Sequence, residues 1–366
     1  VNKKSGKMIN MVLSGGGIKG IAFSGAYDVA EQRGYRCSNV AGVSAGAIAG
    51  SFISAGCNSY NLKRIISDFD CSKMYIANPK MNLPVIMDFK EFCKQYRLSE
   101  EYSIESFLYN NDRGYLRIKY GSRCDKEEVL SRTLMHNIIK YSKNGCIFDG
   151  DYLEEWLYKN LSNLGIRTFK DLRGGIPDNT NPKGYKARFL AVDATRKKAI
   201  SLPDDLSFYG INPDNFEVAK AVRMSASVPF IFKPIEFKKR QGKIVKTYTI
   251  VDGGVLDNFP VWMIGDSNYL PTLCFSLDGD QKKKLVSIDT SLKVLVKFIS
   301  AVHNVGVPKT DDLKNKYLAS INTSQVPSFA FDLSVDDKYY LLNEGKKSAD
   351  AIFQRIELEA YRRNFF

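Results

Sequence analysis

Histidine is almost missing from this chain: His136 and His303 are the only two in 366 residues. Chemistry built on imidazole, whether acid–base or metal-ligating, therefore has few positions to use. Cysteine is present without order. Cys37, Cys57, Cys71, Cys93, Cys124, Cys146 and Cys274 are odd in number, irregularly spaced and free of any CxxC pair. That pattern argues against a disulfide framework and a zinc site, and reduced thiols in a cytoplasmic protein are expected. No metal or cofactor is expected. Long apolar runs are also missing. Nothing approaches the roughly 20 apolar residues of a membrane-spanning helix. The polar, basic stretch Val1–Lys7 lacks the apolar segment of a signal peptide. The expectation is a cytoplasmic protein that does not span a membrane but touches an anionic one peripherally. There is no repeat, low-complexity tract or interdomain linker.

What the chain does have is length, apolar content and positive charge. Its 366 residues, 44% of them hydrophobic, suffice for one large domain or two smaller ones with a core that needs no staple. A net charge of +13 suits an anionic partner, nucleic acid or acidic phospholipid, or simply a soluble surface. No nucleic-acid-binding motif is present, and none is expected as partner. Basic triplets stand at Arg196-Lys197-Lys198, Lys238-Lys239-Arg240 and Lys282-Lys283-Lys284. Each suits attraction to an anionic bilayer or a solvated face.

Apolar patterning alternates strands and helices. Ile9 to Leu13 reads as a buried strand, and Gly20 to Arg33 as a helix closed by Gly34. Val40 to Val43 is a second strand, and Ala45 to Ala55 a second helix. Two strand–glycine turn–helix units in succession predict an α/β fold with a largely parallel sheet. Further on, Asp151 to Leu164 and Phe216 to Met224 read as helices, and Ala187 to Val192 as a strand. Phe237 to Val251 reads as a hairpin turning at Arg240-Gln241-Gly242. Residues 73–145 suit a lid or helical insertion. The tail 281–366 is expected to be mainly helical and packed on the same domain.

Gly15-Gly16-Gly17-Ile18-Lys19-Gly20 follows the first strand and opens a helix. A dinucleotide fold would want an acid about 20 residues further on, yet residues 35–40 hold none. A Walker loop would end in Lys-Ser or Lys-Thr, but Ile21 and Ala22 follow Gly20. The third reading is an oxyanion hole, in which glycines let backbone N–H groups converge at a helix N-terminus. Gly42-Val43-Ser44-Ala45-Gly46 favours it, because GxSxG at a strand-to-helix turn is a nucleophile elbow. Ser44 is then the nucleophile, and the Ala45 amide a second oxyanion donor.

The serine needs a base. The order Ser44, Asp252, His303 mimics a hydrolase triad, but His303 sits in an apolar helical run, as His136 sits in another. Asp252 follows a strand and precedes Gly253-Gly254, which places it at a strand end as a base or as a turn aspartate.

Together these three motifs resemble the patatin-like phospholipases, bacterial members in particular. The family pattern is a GGGxRG or GGGxKG loop, a GxSxG elbow and a late DGG or DGA. Ser225 to Phe232, Phe148 to Leu153 and Thr168 to Leu172 add to the likeness, which covers about residues 8–280. The resemblance implies a three-layer α/β/α fold with a central, mostly parallel sheet, here followed by a helical C-terminal extension. It implies a Ser44–Asp252 dyad without histidine, and amides of Gly16, Gly17 and Lys19 in the oxyanion loop. Lys19 stands where arginine is common. The implied activity is hydrolysis of fatty-acyl esters of glycerophospholipids through an acyl-enzyme. A small-ester or thioester hydrolase on the same dyad, and a non-catalytic lipid-binding protein, are the alternatives.

Overall fold

Short apolar runs bounded by glycine become the buried strands of one sheet. In the computed structural model, residues 7–74, 146, 148–229, 231–278, 315–326 and 333–365 are described. Strand β1 (Lys7–Leu13) leads through a 3-10 turn (Gly17–Ile21) into helix α1 (Ala22–Gln32). Strand β2 (Tyr35–Gly42) leads into α2 (Ala45–Ser54), and α3 (Ser59–Ser67) follows. Then come α4 (Asp151–Asn163), β3 (Ala187–Asp193), β4 (Lys198–Leu202), α5 (Val218–Ser225), β5 (Ile235–Gln241) and β6 (Ile244–Asp252). Strands β7 (Thr272–Asp278) and β8 (Lys316–Asn322) and the long helix α6 (Val335–Phe365) complete the described chain.

The eight strands run β5-β6-β3-β2-β1-β7-β8, with β4 also paired to β3. Pairs β1–β2, β1–β7, β2–β3 and β7–β8 are parallel. The antiparallel pairs gather at one side, around β3, β4, β5 and β6. Strands buried on both faces read as continuous apolar runs. Met11 and Leu13 face one core with Phe189 and Phe275, and Val12 faces another with Ala41, Leu190 and Cys274. Helices cover the first face. Phe259 to Ile264, with a 3-10 turn at Val261–Met263, pack on the second.

The 281–366 tail brings a strand as well as helix. Strand β8 extends the sheet beside β7, and α6 lies along α1. Glycine permits that approach in both helices: a Cβ on Gly25 would run into the Leu342 carbonyl, and one on Gly345 into the Ala22 carbonyl. The hairpin turns one residue later than the sequence suggests. Gln241 pairs with Ile244, leaving a two-residue turn in which Gly242 takes a φ of 62°, as tight hairpins require at their first central position. The 75–145 segment, His136, His303 and the 282–284 triplet lie outside the described residues.

Candidate active site

The turn after β2 is too tight for ordinary backbone. Ser44 has φ 53° and ψ −119°, a conformation a non-glycine residue holds only when its surroundings enforce it. They do so through glycine: a Cβ on Gly42 would lie 2.5 Å from the Gly46 carbonyl oxygen, and one on Gly46 would strike the Leu13 carbonyl. The chain therefore enters α2 with Ser44 only 3% exposed. Its amide donates to Ser225 Oγ at 3.1 Å, and that hydroxyl donates to the Leu190 carbonyl at 2.6 Å.

The glycine loop packs against the same elbow. Gly17 takes a φ of 59° as the 3-10 turn begins, and a Cβ on Gly20 would sit 3.0 Å from Ala45 Cβ. The first amides of this turn and of α2 have no acceptor within their own helix. Gly17, Ile18, Ser44 and Ala45 line one cavity of about 600 Å³. The rest of its wall is largely apolar, with Ile48, Ile66, Phe69, Trp156, Val228 and Phe232 among its residues. Gly16 and Lys19 are not among the lining residues, and the Lys19 side chain is buried. Ile18, which the motif leaves as a variable position, does line the cavity.

Asp252 ends β6 fully buried, and one of its carboxylate oxygens accepts from the Gly254 amide at 2.7 Å. It does not line the cavity, but its backbone belongs to the same assembly. Its amide donates to the Ser227 carbonyl at 2.9 Å. A Cβ on Gly253 would lie 2.8 Å from Val43 Cγ2. Ser44 and Asp252 are thus moored to residues two apart, Ser225 and Ser227, whose Cα atoms lie about 7 Å apart at most.

Arg223 fixes that strap from below. It is 1% exposed. Its Nε donates to the Gly150 carbonyl at 3.1 Å, and Nη2 donates to the Asp149 and Lys233 carbonyls, each at 2.7 Å. Nη1 donates to the Ser227 hydroxyl, which donates in turn to the Arg223 carbonyl at 2.7 Å. Burial pulls the guanidinium pKa down to about 10. Gly150 is required beside it, since φ is 86° there and a Cβ would meet the guanidinium. Motif reading gave no supporting role to Arg223, Ser225 or Ser227; the two serines stood only within the Ser225–Phe232 stretch that adds to the family likeness, and Arg223 had no signal. It also missed Asn258, whose carbonyl accepts from the Gly15 amide at 3.1 Å and whose side chain fills the space a Gly15 Cβ would need.

Two residues of the C-terminal segment, Leu333 and Lys338, complete the described wall. Lys338 Nζ donates to the Ser67 carbonyl at 3.3 Å. Among the described residues no cluster of three His, Cys, Asp or Glu side chains is placed to hold a metal. No helix among them is long and apolar enough to cross a membrane.

Comparison with known proteins finds relatives by sequence and by fold. YqhO of Bacillus subtilis is 34% identical over 276 residues, 75% of this chain and 73% of its own. The crystal structure of VipD from Legionella pneumophila superposes with a TM-score of 0.50 at 18% identity, covering 96% of this chain and 67% of VipD. ExoU, the type III effector of Pseudomonas aeruginosa, is more distant, with a TM-score of 0.39 at 14% identity over 95% of this chain and 53% of ExoU. The sequence profile described as patatin-like phospholipase matches residues 11–264. With its glycine loop, serine elbow and late aspartate all inside that match, the chain belongs to the patatin-like phospholipase family.

Proposed function

We propose that this protein is a lipid acyl hydrolase that cleaves fatty-acyl esters of glycerophospholipids with Ser44 as nucleophile and Asp252 as base. The observation that carries the reading is the strained Ser44 turn opening onto an apolar cavity beside the glycine-loop amides. An acyl chain fills such a cavity by the hydrophobic effect, which brings its ester carbonyl to Ser44.

The Ser44 hydroxyl attacks the carbonyl carbon and its proton passes to Asp252. Negative charge develops on the carbonyl oxygen, where amides of the Gly16–Lys19 loop and of Ala45 stabilise it. The C–O bond to the lysolipid breaks, and Asp252 returns the proton to the leaving oxygen. Water then attacks the acyl-serine by the same path in reverse and releases the fatty acid. The Ser44 amide is occupied by Ser225, so it holds the nucleophile in place and leaves the oxyanion to the other donors.

A fluorophosphonate probe should label the wild-type serine and leave Ser44→Ala unlabelled. Phospholipid vesicles should yield free fatty acid and lysolipid with the wild type. Ser44→Ala and Asp252→Asn should each lower that rate by roughly 10³-fold or more. Labelling and hydrolysis that persist in Ser44→Ala would end the assignment. Efficient turnover of short soluble esters, with vesicles left intact, would move the substrate to the small-ester class.

A further inference from the structure

The β5–β6 hairpin outruns the sheet it belongs to. Gly42, at the elbow, is level with Phe189 of β3, while β3 continues to Asp193, paired with Ile250 of β6. Because β6 is antiparallel to β3, its earlier residues extend beyond the end of β3, off the sheet edge that carries Ser44. Eight residue steps separate Ile244 from Asp252, which at strand rise is roughly 25 Å. Tyr248 is 1% exposed, but Ile244 and Val245 at the tip are 71% and 58% exposed.

Composition changes with that exposure. Residues 238–246 read KKRQGKIVK, with five cations, Lys238, Lys239, Arg240, Lys243 and Lys246, and no acid. The β3–β4 turn adds Arg196 and Lys197 on the same side. Arg196 lies 3.6 Å from the Phe208 ring centroid and Lys239 4.4 Å from it, so the turn and the hairpin share one aromatic support. Lysines on an edge strand are a common guard against strand pairing. That role accounts for the charges and leaves unexplained why the first two residues of β6 after the turn, Ile244 and Val245, are both apolar and both exposed. Successive strand residues point to opposite faces, so Ile244 and Val245 put one exposed apolar side chain on each face of the tip, beside Gln241 and Arg240 as cross-strand partners. A side chain packed on a partner's flat surface would need only one. An apolar tip collared by cations matches a layered partner: hydrocarbon beneath an anionic headgroup plane.

We infer that the β5–β6 hairpin docks this protein on an anionic phospholipid surface, with Ile244 and Val245 entering the interface and Lys238, Arg240, Lys243 and Lys246 contacting the headgroups. This rests on the lipid-hydrolase reading for its purpose but not for its test. Docking there sets the bilayer off the same sheet edge as the elbow, where a lipid substrate is wanted.

Binding is best measured by co-sedimentation in the Ser44→Ala background, so that turnover neither consumes the vesicles nor enters the readout. Vesicles of mixed phosphatidylglycerol and phosphatidylcholine should bind the protein, pure phosphatidylcholine should bind it far less, and added salt should release it. Lys243→Glu/Lys246→Glu should weaken partitioning at least roughly 25-fold, about fivefold for each cation lost. Ile244→Asn/Val245→Asn should weaken it roughly tenfold, and Lys243→Arg/Lys246→Arg should retain it, all with unchanged thermal unfolding midpoints. Charge-reversed protein that binds like its parent would overturn the docking role. So would binding indifferent to phosphatidylglycerol or salt, loss of binding that tracks a lowered unfolding midpoint, or duplex DNA held more tightly through the same residues. Failure of the hydrolase reading itself would appear separately, as wild-type protein that takes no fluorophosphonate label.

Discussion

The stretch that matches the family, residues 11–264, and the C-terminal stretch, described at 315–326 and 333–365, meet at one cavity but build it by different means. The first supplies Gly17, Ser44 and Ala45 from turns, where a few consecutive residues set the backbone. The second has no motif, yet Leu333 and Lys338 stand in the same wall, held there because α6 lies on α1 and β8 on β7. The serine turn and the glycine loop are set by short-range geometry, and this part of the cavity wall by packing between segments some three hundred residues apart. Changes on the two sides of the cavity should therefore separate rate from selectivity.

Among changes that leave Ser44 and Asp252 in place, the largest effect is expected at Ser225. Removing its hydroxyl in Ser225→Ala leaves the buried Ser44 amide without its acceptor, a loss of about 1–3 kcal/mol for a buried donor. That loss falls on the strained turn itself. We expect kcat to fall roughly 10- to 100-fold with KM and chain-length preference little changed, and Ser225→Thr to recover much of the rate. Steady-state kinetics on a series of acyl esters reads both quantities. A shift of chain-length preference in Ser225→Ala would break the division between the two regions.

An intermediate effect is expected at Leu333. Trp in its place narrows the cavity from the C-terminal side without touching the elbow. Preference should move toward shorter acyl chains, by about tenfold in relative kcat/KM, since a methylene or two in an apolar pocket is worth that much. The labelling rate with a small fluorophosphonate should stay near that of the wild type. A uniform loss across chain lengths would mean that the C-terminal wall acts on the chemistry.

This division also explains what was legible before any coordinates. The elbow could be read because Gly42 to Gly46 carry its whole steric logic in five residues. The strand-to-helix units around it were legible for the same reason, and the hairpin shifted by only one residue. Arg223 was not legible. Apart from the Ser227 hydroxyl its partners are backbone carbonyls, two of them more than seventy residues earlier, and no side-chain pattern marks a carbonyl. Strand β8 was missed because an edge strand of half-buried residues, with only Ile321 fully covered among its side chains, shows no clean alternation. The Leu333 wall has no local signature, since its place depends on Gly25 and Gly345 letting two helices touch.

The smallest effect should come from the polar rim of that helix contact. Asp28 of α1 meets Lys346 of α6 at 2.8 Å and accepts from Ser59 at 3.0 Å and Gln32 at 2.9 Å. Burial works against its ionised form, but the hydrogen bonds and the Lys346 charge outweigh burial and hold the carboxyl below its ordinary value. The folded pKa is thus below the unfolded one. Its stabilisation is fully present above the unfolded value of about 4 and disappears as pH falls through the folded value. Both partners are partly solvated, so Asp28→Asn should cost less than about 1 kcal/mol near neutral pH, and less still in high salt. Urea unfolding of wild type and variant across a pH series should show two curves that converge as acid protonates Asp28. A gap that persists in acid would assign the contact to the shape of the side chain, and would leave the polar hold of α6 on α1 to Arg33, which meets Asp350 at 3.0 Å and Glu357 at 2.7 Å.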